Sequence, residues 1–126
     1  MKISIETINA PAPIGPYSQA VLSGNTLYTS GQIAFIPETG ELVKSSIEAE
    51  THQVMKNMSA VLAKANMTFD HVVKSSIFIS NMDDFSRINA VYAEYFTANY
   101  PARETLEVAR LPKDMNVEIS MIAVKE

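Results

Sequence analysis

The sequence predicts an α+β domain: one mixed sheet with two helices packed on one of its faces. Three observations carry this. The candidate elements run strands, helix, strand, helix, strands, with no internal repeat and no linker. Two segments, beginning near residues 45 and 81, place apolar side chains at helical spacing. The last candidate strand, Val117–Val124, is apolar on both faces, so the helices cover one side and something else must cover the other. No helix remains for that second side, which makes a subunit interface its natural cover.

With 126 residues, the chain fits one domain spanning 1–126 and can bury a core without staples. Its 47% hydrophobic and 19% charged composition is that of an ordinary globular protein. Cysteine is absent, which excludes disulfides, a thiolate nucleophile and cysteine metal sites. A net charge of −4 with scattered basic residues argues against a nucleic-acid surface. No apolar run has the length of a membrane span, and the first residues lack a signal-peptide plan, so a cytoplasmic location is expected.

In chain order, Ile3 and Ile5 alternate with polar residues as a short strand. Asn9–Pro16 holds three prolines and a glycine, a stiff irregular segment that presents Tyr17. Ala20–Leu22 and Thr26–Thr29 flank Ser23-Gly24-Asn25, a hairpin signal. Gly31 ends the second of these strands and marks either a bulge or a close approach. Phe35–Val43 reads as a second hairpin. Ser45 with Glu48 forms a capping-box pattern opening a helix that runs to Ala65-Asn66. Its apolar face is Ile47, Val54, Met58, Val61, Leu62 and Ala65.

Val72–Ser80 is a strand, with Val73, Ser75, Ile77 and Ile79 on one side. Asn81-Met82-Asp83-Asp84 opens a second helix of similar length, with Phe85, Ile88, Tyr92, Tyr95 and Phe96 as its buried stripe and Asn89 beside it. Tyr100-Pro101 ends it. Thr105–Leu111 and Val117–Val124 read as two strands joined by the turn Leu111-Pro112-Lys113-Asp114.

Glu118 is the odd residue of the last strand. A carboxylate on a covered face is costly unless paired, so it either pairs with Arg103, Arg110 or Lys113, lies at an edge in water, or has work to do. The same choice between structure and function holds for Tyr17, Asn89 and Arg103. His52 and His71 show no metal-ligand spacing, and no nucleophile elbow, P-loop or dinucleotide fingerprint occurs.

Four stretches carry a resemblance: Gly15-Pro16-Tyr17-Ser18-Gln19-Ala20, Ser30-Gly31-Gln32-Ile33, Ile88-Asn89-Ala90-Val91-Tyr92 and Pro101–Ala123. In this order and spacing they resemble the reactive intermediate deaminase (RidA) family over nearly the whole chain. The resemblance implies a chorismate-mutase-like subunit, a homotrimer with sites between subunits, and hydrolysis of 2-imino or enamine acids to 2-keto acids and ammonium without a cofactor or metal. It also implies roles. Arg103 holds the substrate carboxylate, for which its planar fork suits it. Glu118 acts as general base toward water. The backbone at Ser30, Gly31 and Thr105 hydrogen-bonds the substrate, and Tyr17 and Asn89 line the pocket.

Thr105 departs from the family, in which many members carry cysteine, and this leaves the preferred imine open. Two other classes fit the same residues: a non-catalytic metabolite-binding or chaperone-like trimer, and an endoribonuclease or translation inhibitor. A second negative charge near the pocket counts against the first, and the acidic balance against the second.

Overall fold

The computed structural model describes residues 1–126. Eight main elements follow in order: β1 (Lys2–Ile5), β2 (Ala20–Ser23), β3 (Thr26–Thr29), α1 (Ile47–Lys64), β4 (Val72–Ile79), α2 (Phe85–Ala93), β5 (Ala102–Glu107) and β6 (Val117–Val124). They build one six-stranded sheet in the order β1-β2-β3-β6-β4-β5. Only β4 and β5 pair in parallel, joined by α2, so the sheet is mixed as expected. The core lies between the two helices and one sheet face. Val54, Met58, Val61 and Leu62 of α1 meet Val117, Ile119, Met121 and Ala123 of β6 there, and all are buried. No helix is long and apolar enough to cross a membrane.

Hairpin β2–β3 turns at Gly24, whose φ of +61° is a conformation glycine adopts at little cost. By contrast Phe35–Val43 is no strand pair. A single bridge, Phe35 to Leu42, closes an irregular loop. The cap of α1 is Ser46 rather than Ser45, its hydroxyl accepting from Ala49 N–H at 3.0 Å. Glu48 faces outward and takes a two-pronged bond from Arg87 of α2 at 2.6 and 2.8 Å. That bond pulls its carboxyl down to about 2.

A bulge at Val73 moves Val72 to the buried side and leaves Val73 exposed, so the strand's inner face is Val72, Ser75, Ile77 and Ile79. After a short 3₁₀ turn capped by Asn81, α2 runs for 9 residues against 18 for α1, so the helices differ in length. Beyond Ala93 the backbone bonds tighten to the i−3 pattern, Tyr95 to Tyr92 and Phe96 to Ala93, and the helix unwinds before Tyr100.

The C-terminal pair also differs from the expectation. β5 starts at Ala102, directly after Pro101, and ends at Glu107. It is not a hairpin partner of β6, because β4 lies between them. Val108 N–H still reaches Ile79 O, and beyond that β4 has no residue left to pair with Ala109–Leu111.

The second sheet face is open in one chain. Glu118, Ser120, Ile122 and Val124 of β6 are half-buried there. Tyr28 and Leu106, on the same face by register, are 51% and 48% exposed.

Candidate active site

Register places the candidate residues in two groups. Arg103 sits opposite Ser75 of β4, and Ser75 belongs to the buried, helix-covered face. Arg103 therefore leans over α2. Its guanidinium carbon lies 5.2 Å from the centre of the Tyr92 ring and 5.6 Å from that of Phe85. Its Nη1 donates to Asn89 Oδ1 at 2.6 Å. Tyr92 is fixed in turn by its hydroxyl, which donates to Ser75 Oγ at 2.9 Å. Burial raises that phenol's pKa, with the Ser75 bond and the Arg103 charge working against it.

A cleft of about 440 Å³ opens beside these groups, lined by Asn89, Tyr92, Ala93, Tyr100, Pro101 and Arg103. Arg103 forms none of the chain's ion pairs, so a guanidinium with most of its five donors unused faces an aromatic-walled cleft. Thr105 lies two residues further along the same face, and its hydroxyl is buried without a hydrogen-bond partner.

The second group gathers on the other face. Glu118 pairs with Phe78 in register and points to the open side. Between Thr29 and Gln32 the backbone that follows β3 swings away from β6. Met121 N–H is met by the Thr29 side chain at 2.9 Å instead of by backbone. Pairing resumes only at Gln32, which exchanges bonds with Ile119 at 2.8 and 3.1 Å. The carboxylate of Glu118 lies over the gap. A Cβ on Gly31 would stand 2.6 Å from Glu118 Cδ, so glycine leaves the room in which the Glu118 side chain lies as it is placed. Close approach, not a plain bulge, is the reason for this residue.

Gly31 N–H donates to no protein acceptor. Ser30 is spoken for on both sides: its N–H binds Gln19 O at 2.9 Å and its hydroxyl donates to Ser18 O at 2.6 Å. These bonds tie the Ser30-Gly31 turn to the Tyr17-Ser18 segment. Tyr17 itself is 53% exposed, its hydroxyl touched only by Ile14 N–H at 3.4 Å. No protein group bonds or pairs with Glu118, and burial raises its carboxyl pKa. The ion pairs available to it by sequence are not made: Arg110 binds Asp114, and Arg103 is across the sheet.

One chain thus joins Arg103 with Asn89, and Gly31 with Glu118, but does not bring the two groups together. Sequence reasoning missed Tyr92 and Tyr100 as walls of the cleft, and Phe85 as a ring against the Arg103 guanidinium. Tyr92 and Phe85 stood in an apolar stripe and read as core, and only the cation between their rings reveals the second use. The histidines are elsewhere and apart: His52 Nδ1 lies 2.7 Å from Tyr95 OH, and His71 caps the 3₁₀ turn at Thr68.

Residues 7–125 match the family model described as Endoribonuclease L-PSP. A RutC family protein of Pyrococcus horikoshii is 50% identical over the full length of both chains. Human 2-iminobutanoate/2-iminopropanoate deaminase is 43% identical, over 96% of this chain and 88% of the human one. The crystal structure of E. coli TdcF with bound serine superposes with a TM-score of 0.94 at 39% identity, covering 98% of this chain and 99% of that one. With a lone arginine fork, a glycine-seated glutamate and full-length similarity of this order, the chain belongs to the RidA family.

Proposed function

We propose that this protein hydrolyses small 2-imino acids, such as 2-iminobutanoate and 2-iminopropanoate, to 2-keto acids and ammonium, at sites shared between subunits of a homotrimer. The observation that carries this reading is the split of the site. A guanidinium without a counter-ion and a carboxylate held above a glycine each need a partner, and they stand on opposite faces of one chain. An open sheet face bearing exposed Tyr28 and Leu106 supplies the surface on which a second copy can bring them together.

In the assembled site the substrate carboxylate takes the Arg103 fork, steadied by Asn89 and by the backbone at Thr105. Gly31 N–H and the Ser30 carbonyl are free to bond the reacting end, and Tyr17 closes over it. Glu118 accepts a proton from water as the water oxygen bonds to the imine carbon. In the protonated imine the C=N π pair moves onto nitrogen, which takes that proton from Glu118. The carbinolamine hydroxyl then gives up its proton to Glu118 as the C=O bond forms and the C–N bond breaks, and the leaving ammonia carries that proton away as ammonium. A carboxyl whose pKa is raised is a better base for this than an ordinary one. The bound serine of TdcF and the activity in the human relative's name support an amino-acid-like substrate. In the cell such an activity would clear reactive intermediates released by dehydratases.

The test is a coupled assay. A pyridoxal-phosphate dehydratase generates 2-iminobutanoate or 2-iminopropanoate, and this protein should speed the appearance of the keto acid. An unchanged rate at micromolar protein would leave a metabolite-binding trimer as the better reading.

A further inference from the structure

A second carboxylate, Glu50 in the first turn of α1, is fully buried. It is one of the most enclosed polar side chains in the molecule, and none of the chain's ion pairs involves it. Its two oxygens instead accept three N–H bonds from one short stretch of chain. Oε2 takes Asn116 N–H at 2.7 Å and Val117 N–H at 3.1 Å, and Oε1 takes the Asn116 side-chain amide at 2.8 Å. An ionised carboxylate has lone pairs enough for all three, and the helix N-terminus favours its charge. The stretch it grips ends one residue before Glu118.

We infer that Glu50 is a positioning residue for Glu118: by clamping Asn116 and Val117 it fixes the start of β6 and so aims the catalytic carboxylate over Gly31. This rests on the reading of Glu118 as the base. The geometry around the clamp is one of tight bracketing. Before it, Lys113 and Asp114 adopt left-handed φ of 59° and 53°, and their carbonyls are held by Lys44 Nζ at 3.1 and 3.2 Å. At the clamp, Asn116 is also tied to the end of β4 through Ser80, backbone to backbone at 3.1 Å and side chain to side chain at 3.2 Å. After it, Gln32 pairs with Ile119. Glu118 is therefore the one residue between two fixed points. The clamp adds to the β4 ladder, in which Glu118 pairs with Phe78, at the end of β6 where a slip of one residue would turn Glu118 into the core and Val117 out of it.

A glutamine at position 50 keeps the shape but offers one acceptor oxygen and sets an amide N–H₂ against the other donors. The test compares Glu50→Gln, Glu118→Gln and the double variant in the imine assay, together with the affinity for a 2-keto acid and the melting temperature. Glu50→Gln is expected to lower kcat by roughly tenfold or more. KM and keto-acid affinity should stay within about twofold, because the Arg103 cleft is untouched. In the Glu118→Gln background the same change should cost no further kcat. A residue that merely supports the fold would lower the melting temperature in both backgrounds and leave the kcat of the folded enzyme unchanged.

Native kcat in folded Glu50→Gln, or a loss that adds fully to that of Glu118→Gln, overturns the inference. Should Glu50→Gln not fold, Asn116→Ala decides by the same criteria, since it removes the one of the three bonds that comes from a side chain, that of half-exposed Asn116, with Ser80→Ala as the control for the bond to Ser80 lost at the same time. If Glu118→Gln itself keeps native kcat, it is the assignment of the base that fails.

Discussion

Arg103 and Glu118 stand on opposite faces of the sheet, separated by β4, so neither can serve the other within one chain. This leads to a complementation experiment. Arg103→Ala and Glu118→Gln proteins should each be nearly inactive alone. Unfolded together in equal amounts and refolded, they should regain activity, because random assortment in the proposed trimer leaves about a quarter of the shared sites with both native residues. Mixed oligomers as inactive as either parent, or a monomer mass by light scattering at micromolar concentration, would rule out the shared site.

Glu118 should trade stability for function. Burial raises its carboxyl pKa in the folded protein above the value of about 4.3 for an unfolded glutamate. Folding then favours the protonated form. The stability this gives is fully present below about pH 4.3 and is lost as pH rises through the folded-state pKa. At neutral pH the charged side chain is therefore a cost that glutamine removes. Glu118→Gln should melt above the parent at pH 7, and the gap should close on acidification toward pH 4, while kcat falls. In the parent, kcat/KM should decline in acid with a midpoint above the ordinary carboxylate range. A variant that melts lower at pH 7 would mean that Glu118 is a structural group after all.

Gly31→Ala separates the backbone from the space above it. The position has no left-handed φ, so alanine suits the backbone, but its Cβ would overlap the Glu118 side chain. That side chain can bend away, so the expected loss of stability is small, near the low end of the roughly 1–3 kcal/mol typical of overpacking. Activity should drop far more, since Glu118, the proposed base, is displaced and the Gly31 N–H partly covered. Melting curves and kcat measured on the same preparation check this, and parallel losses in both would argue against it.

How much of this was legible in the sequence depends on the range of the interaction. β6 was bounded correctly because Val117, Ile119, Met121 and Ala123 alternate with the other face without interruption. Gly31 and Glu118 stood out individually, each being an odd residue type for its place. That they touch was not legible, nor that Arg103 lies across the sheet, because both depend on β4 entering between β5 and β6. The sequence predicts α2 too long, since Tyr95 and Phe96 keep helical spacing although the backbone there tightens into turns. Glu50 left no signal at all: an acidic residue in a helix's first turn is ordinary, and its burial is set by residues 66 positions away.

Arg103 gives the sharpest remaining test, since the structure removes one of its two explanations. A simple pairing with Glu118 would have let lysine replace it. The guanidinium instead lies between two aromatic rings with one nitrogen on Asn89, and its other donors are unused. Lysine keeps the charge but is a point donor on a flexible stem, and it cannot make two parallel bonds to a carboxylate. Each charge-assisted bond is worth roughly 1.5–3 kcal/mol, which is about one to two decades in rate at about 1.4 kcal/mol per decade. Arg103→Lys should therefore lose on the order of tenfold or more in kcat/KM, and Arg103→Ala more again. The cleft-facing side chain is exposed, so neither variant should fall far in melting temperature. The loss should also appear as weaker binding of 2-keto acids, which carry the same carboxylate. A lysine variant with near-native kcat/KM, or an alanine variant that binds 2-keto acids like the parent, would remove Arg103 from the site and shift the carboxylate-binding role elsewhere.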